Sequence, residues 1–177
     1  IMAYPHSTQF EGLVSNLFDL DEIAKNWIAS QKKVNSNKHL RFFKTHNMLG
    51  NYKEYPFTDS ENTLGAIYIV RDPRNVITSL KNHYSIPNYE EAKEFMFDEN
   101  KILAMSERQK NLFMKSKIFP LKQFVGSWRT NHLSWKYMNK NYLLVRYEDL
   151  TENPKNEFTK IADFVGNLLK LKFTEDQ

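Results

Sequence analysis

Three short stretches of this 177-residue chain gather side chains able to do chemistry. They read Phe43-Lys44-Thr45-His46, then Val70-Arg71-Asp72-Pro73 running on to Ser79, and Arg146-Tyr147-Glu148-Asp149-Leu150. Lys44 and Arg71 supply cations, Tyr147 an aromatic face, and His46 an imidazole whose ordinary pKa suits proton transfer near neutrality. Such a set suits an anionic nucleotide. Asp72-Pro73 reads as a capping residue followed by a proline at the first helical position, so Arg71 is expected beside free backbone N–H groups and the positive end of a helix dipole. That is the chemistry of an anion site. Ser79 lies seven residues after Asp72, nearly two turns on, and therefore on the same helix face, where its hydroxyl can share the anion with Arg71.

The elements that must position these residues are legible as runs. His39 to Thr45, Gly65 to Arg71 and Asn141 to Tyr147 are rich in Phe, Ile, Val, Leu and Tyr and bounded by Asn, Gly or Asp, which predicts three strands. Asn153-Pro154 repeats the helix start seen at Asp72-Pro73. Apolar strands separated by helices imply an α/β fold, a parallel sheet covered by helices on both faces, with the ligand crevice beyond the carboxyl ends of the strands. Lys44, His46, Arg71 and Tyr147 are then expected at one edge. Leu20, Ile23, Ala24, Trp27 and Ile28 form one stripe of a helix over residues 19 to 32, with Asp19 and Glu22 spaced as a capping box. Helices are also expected between Tyr84 and Pro120, through Ala92, Phe95, Met96, Ile102, Leu103 and Phe113, and from Leu121 to Met138, through Phe124, Trp128 and Trp135.

Composition narrows the rest. Length and a 41% apolar content allow one core, so a single domain over residues 1 to 177 is expected. No run of about 18 uncharged apolar residues occurs, and the mean hydropathy is −0.64, against a membrane span. With no cysteine, and no Asn-x-Ser/Thr sequon, a reducing cytoplasmic setting is the default, although Ile1 leaves room for a removed leader or a longer chain. The net charge of +4 decides nothing by itself. There is no Gly-x-Gly-x-x-Gly, no Gly-rich loop ending in Gly-Lys-Ser/Thr, no His-Glu-x-x-His and no metal-ligand spacing among the five histidines, so no metal is expected. Lys32, Lys33 and Lys38 fall at a helix end, where they compensate the dipole, and no basic aromatic-rich face suggests nucleic acid.

Lys44-Thr45-His46, Arg71 to Ser79, Arg146 to Leu150 followed by Asn153-Pro154, and Gly126-Ser127-Trp128 with Trp135 together resemble the sulfotransferase family that uses 3′-phosphoadenosine 5′-phosphosulfate. The four elements stand in the family's order over about residues 39 to 155. The resemblance implies a sulfotransferase with a parallel sheet related to the nucleotide kinases and no metal requirement. It implies that His46 is the general base toward an acceptor hydroxyl, Lys44 a cation beside the transferring sulfuryl group, Arg71 and Ser79 the holders of the 3′-phosphate, and Tyr147 a neighbour of the adenine. Two departures stand out: no Pro-Lys-Ser-Gly-Thr-Thr-like loop occurs in residues 1 to 38, and no Gly- and Lys-rich segment follows the last helix. A partial domain, inactive by itself, is the expectation. Where the family often has His three residues after the first Trp, Asn131 stands here and His132 follows. The acceptor is expected to be a small molecule or glycan with a hydroxyl, shaped by residues 1 to 38 and 84 to 121. Rival readings are a kinase-like nucleotide-binding transferase and a non-catalytic domain that retains the fold; oligomeric state is open.

Overall fold

In the computed structural model, which describes residues 1–37, 39–106, 109, 111 and 118–171, the helix expected over residues 19 to 32 is two helices. They are α1, Leu20–Lys25, and α2, Trp27–Asn35. Asn26 separates them because its side-chain amide donates back to the Glu22 carbonyl, 2.9 Å away, and its φ of −106° leaves the helical region. The capping box is also redrawn. Asp19 accepts from the Asp21 N–H, as a cap should, but Glu22 turns outward to the backbone N–H groups of Ser15 and Asn16 and the Ser15 hydroxyl. The apolar stripe itself is buried through Leu20, Ile23, Ala24 and Trp27. Ile28 is half-buried.

The chain divides into two compact units, residues 1–63 with 98–131, and residues 64–97 with 132–177. In the first, β1 (Met2–Ala3) pairs in parallel with β2 (Phe43–Lys44), so the strand expected over residues 39 to 45 is only two residues long. Two further two-residue pairs are antiparallel: β3 (Asn51–Tyr52) with β4 (Tyr55–Pro56), and β6 (Ile102–Leu103) with β7 (Gln123–Phe124). The core of this unit is aromatic. Trp27 meets Phe57 edge-on at 5.2 Å, and Tyr4 lies 5.7 Å from Phe43. The buried Tyr4 hydroxyl is satisfied by the Trp27 carbonyl, Ser30 and Gln31, as a phenol removed from water must be.

In the second unit β5 (Ala66–Val70) and β8 (Tyr142–Arg146) pair in parallel over five residues, so two of the three expected strands form at nearly full length. The structure is thus mixed α/β with a small parallel sheet. Cover is incomplete: Ile69 is 54% exposed and Leu144 40%, whereas Val145 is 1% exposed. From β5 the chain enters α3 (Pro73–His83) and then α4 (Tyr89–Phe97), whose Ala92 and Met96 are buried. Tyr84, just past α3, stacks on Phe95 at 5.2 Å. From β8 it enters the short α6 (Tyr147–Glu152) and the long α7 (Pro154–Leu169). Asp72 caps α3 through the Arg74 N–H, and Asn153 caps α7 through the Asn156 N–H, as the two X-Pro starts predict. Gly65, before β5, is required by close approach: a Cβ there would lie 2.6 Å from Leu168 Cδ1 and 3.0 Å from the Asn141 carbonyl oxygen.

Two parts of the helical expectation are corrected, at Ile102 and Leu103 within the stretch from Tyr84 to Pro120 and at the start of the stretch from Leu121 to Met138. Ile102, Leu103 and Phe124 lie in strands, and the helix α5 begins only at Trp128 and ends at Ser134, followed by a 3₁₀ segment over Trp135–Asn141. Gly126, at φ +64°, turns the chain between β7 and α5, which no helix through this stretch would allow. Phe113 and Lys38 lie outside the described residues.

Candidate functional site

Unit one holds Lys44 and His46. Lys44 ends β2, exposed, and its carbonyl accepts from the Tyr4 N–H at 2.9 Å. The next residues leave the strand and are stitched to the segment around β7. The His46 N–H donates to Gln123 Oε1 at 2.7 Å, the Phe124 N–H to Asn47 Oδ1 at 2.8 Å, and the Met48 N–H to the Phe124 carbonyl at 3.0 Å. Asn131 Nδ2 reaches the His46 carbonyl at 3.0 Å and the Val125 carbonyl at 2.9 Å. Asn47 is buried at 1% exposure, and Thr45 Oγ1 accepts its backbone N–H.

Held this way, His46 is exposed to solvent yet crowded by protein. That partial desolvation, and secondarily the Lys44 ammonium, lower its pKa from the usual histidine value. The shift favours the neutral imidazole, the form able to accept a proton. Ser127 caps α5 by accepting the Thr130 N–H at 3.1 Å, and Glu99 pairs with the Ser127 and Thr130 hydroxyls. Gln123, Asn47 and Glu99 escaped the sequence analysis: single polar residues beside two-residue strands carry no periodic or motif signal.

Unit two holds Arg71, Ser79 and Tyr147. Tyr147 opens α6 rather than closing β8, and the Arg71 guanidinium carbon sits 5.0 Å from its ring centroid, a cation–π contact. Arg71 Nε is buried with no hydrogen-bond partner among the described residues. The nearby acids are otherwise engaged: Arg146 pairs with Asp149 at 3.5 Å, and Glu148 Oε1 accepts the Asp72 N–H at 2.9 Å. Ser79 is exposed on α3.

The start of α3 corrects one expectation. Its backbone N–H groups are not free: Pro73 has none, the Arg74 N–H goes to Asp72 Oδ1, and those of Asn75 and Val76 go to the Asp72 carbonyl. The Arg74 guanidinium, then its N–H, hold the Asp72 carboxyl down at about 2, and the N–H of Asp72 is the first cause keeping Glu148 below its usual range. Anion affinity in this unit thus falls to side chains. An arginine whose buried Nε has no partner among the described residues fits a phosphate group. His132 lies elsewhere in the same unit, its ring 5.5 Å from that of Tyr68.

Among the described residues no cluster of acidic, histidine or cysteine side chains is arranged to hold a metal, and no helix is long and apolar enough to cross a membrane.

No curated protein sequence matches the chain. Among solved structures, mouse sulfotransferase SULT7A1 complexed with PAP is 18% identical, with a TM-score of 0.47 over 82% of this chain and 46% of that one. Retinol dehydratase, in complex with androsterone and inactive cofactor PAP, is 20% identical, with a TM-score of 0.48 over 95% of this chain and 45% of its own. The chain spans less than half the length of these two proteins. The sulfotransferase domain matches residues 7–176, nearly the whole sequence, and the chain belongs to the sulfotransferase domain family.

Proposed function

We propose that the protein transfers a sulfuryl group from 3′-phosphoadenosine 5′-phosphosulfate to an acceptor hydroxyl, with His46 as general base. The observation that carries this reading is the placement of His46: a solvent-reachable imidazole, its pKa lowered by partial burial, on a loop pinned by Gln123, Phe124 and Asn131, within a chain of the sulfotransferase family. The donor, when bound, supplies an activated sulfur–oxygen bond. His46 removes the acceptor's proton as the acceptor oxygen forms its bond to sulfur, and the sulfur–oxygen bond to the 5′-phosphate breaks with its electron pair leaving on that phosphate. Lys44, two residues before His46 and exposed, offsets negative charge on the moving group. Arg71 and Ser79 hold the 3′-phosphate through side-chain donors, and Tyr147, whose ring lies under the Arg71 guanidinium, neighbours the adenine. In-line transfer of this kind depends chiefly on positioning and charge, with a base adding ~10²–10⁴-fold.

The test uses the full-length protein, labelled donor and a panel of phenols, alcohols, lipids and sugars. Label is expected in one class of acceptor, and His46→Ala is expected to slow turnover at least ~10²-fold with donor affinity unchanged. Unchanged turnover would remove His46 from the mechanism. Transfer from ATP with none from the sulfate donor would favour the kinase-like reading.

A further inference from the structure

We propose that Asn131 is a positioning residue for the proposed base, fixing the backbone of His46 by spending both hydrogens of one side-chain amide on two separate loops. The amide nitrogen donates to the His46 carbonyl at 3.0 Å and to the Val125 carbonyl at 2.9 Å. Both partners are acceptors, so only the nitrogen end of the amide can face them. Asn131 is 9% exposed, so its amide is largely removed from water and is satisfied by these two carbonyls. It also stands on α5, whose start is itself anchored: Ser127 caps it, Glu99 ties Ser127 to Thr130, and the Asn131 N–H bonds the Ser127 carbonyl at 2.9 Å. Residues 85 positions apart are thereby coupled through one side chain.

From the other side, Gln123 Oε1 takes the His46 N–H. His46 is consequently gripped at both backbone polar groups by side chains, where a strand would have used main-chain partners. β2 ends at Lys44, and beside His46 the described residues show no main-chain ladder partner; main-chain pairing resumes only at Met48, whose N–H donates to the Phe124 carbonyl. The two amides replace that ladder. A base must keep its nitrogen within hydrogen-bond reach of the proton that it takes, and a loop free at its backbone does not do so.

The role rests on His46 being the base, but the two fail separately. Uniformly 15N,13C-labelled protein carrying Asn131→Leu is read by NMR. The His46 amide is expected to exchange about tenfold faster or more, with the amides of Phe10 and Ile23 unchanged. The His46 imidazole midpoint is expected to rise toward that of a free histidine, because the crowding that lowers it depends on where the loop sits. Gln123→Leu should loosen the same amide, and Gln123→Glu, which keeps the acceptor, should restore its protection. Wild-type exchange and midpoint in Asn131→Leu would overturn the assignment, as would acceleration shared equally by Phe10 and Ile23. Should that variant not fold, a through-hydrogen-bond coupling from the Asn131 side-chain nitrogen to the His46 carbonyl carbon is expected in the wild type, and its absence overturns the assignment. Unchanged turnover in His46→Ala, with these signals as expected, would instead remove the base and leave the loop anchor standing.

Discussion

Replacing Arg71 with alanine isolates the anion chemistry of the second unit. Two interactions go with the side chain. The first is the contact with the Tyr147 ring at 5.0 Å, about 0.5–1 kcal/mol, which is lost whether or not a nucleotide is bound and so cancels between ligands. The second is the charged hydrogen bond that we propose Arg71 makes to the 3′-phosphate, about 1.5–3 kcal/mol. The helix start cannot compensate for it, because every N–H there from Arg74 to Val76 is already engaged and the ionised Asp72 and Glu148 lie at the same turn. Arg71→Ala is therefore expected to raise the dissociation constant for 3′-phosphoadenosine 5′-phosphate by ~10–150-fold, while that for adenosine 5′-phosphate changes less than ~3-fold. Calorimetry on the full-length protein with both nucleotides gives the four constants. Equal weakening of the two, or a wild type indifferent to the 3′-phosphate, would refute the assignment.

The rising limb of kcat/KM with pH is expected below the ordinary histidine value of about 6.5, with a plateau through pH 7 to 8, and a rate still climbing across that interval would exclude His46 as the titrating base. The same direction has a consequence for folding. His6, His46 and His132 are each lowered in the folded state, chiefly by burial, so between the folded and unfolded pKa values the unfolded chain binds more protons. Stability is then full above about pH 6.5 and falls as pH drops through the folded values, which denaturant midpoints across pH 4.5 to 7.5 will measure. Gly65→Val is expected to cost about 1–3 kcal/mol in urea unfolding, because its Cβ must displace both Leu168 and the Asn141 carbonyl. Asn153→Ala is expected to cost about 0.5–1 kcal/mol by the same measurement, toward the low end for a cap because the bond to Asn156 is 3.3 Å long.

Much of what matters here was legible before any coordinates. The two X-Pro starts needed only local chemistry, a short polar side chain before a proline, and both cap their helices as written. The apolar runs at Gly65 to Arg71 and Asn141 to Tyr147 become paired parallel strands because β-branched and aromatic side chains suit a pleated surface over five residues. The order of Lys44, His46, Arg71, Ser79 and Tyr147 pointed to the sulfotransferase family, and the family match covers the same stretch.

Tertiary structure decided the rest, and in each case a long-range partner outweighed a local preference. Phe124 fits a helical spacing with Trp128 and Trp135, yet Gln123 and Phe124 pair with Ile102 and Leu103, and Gly126 turns the chain before α5 begins. Asp72-Pro73 advertised a helix start open to an anion, but the capping that makes the start recognisable also consumes its N–H groups. Sequence names the residues that can ionise, cap or donate, because those are properties of single side chains and their near neighbours. Which backbone groups remain unpaired, and which amide 85 residues away holds a histidine in place, depends on contacts whose loop-closure cost only the assembled fold can repay.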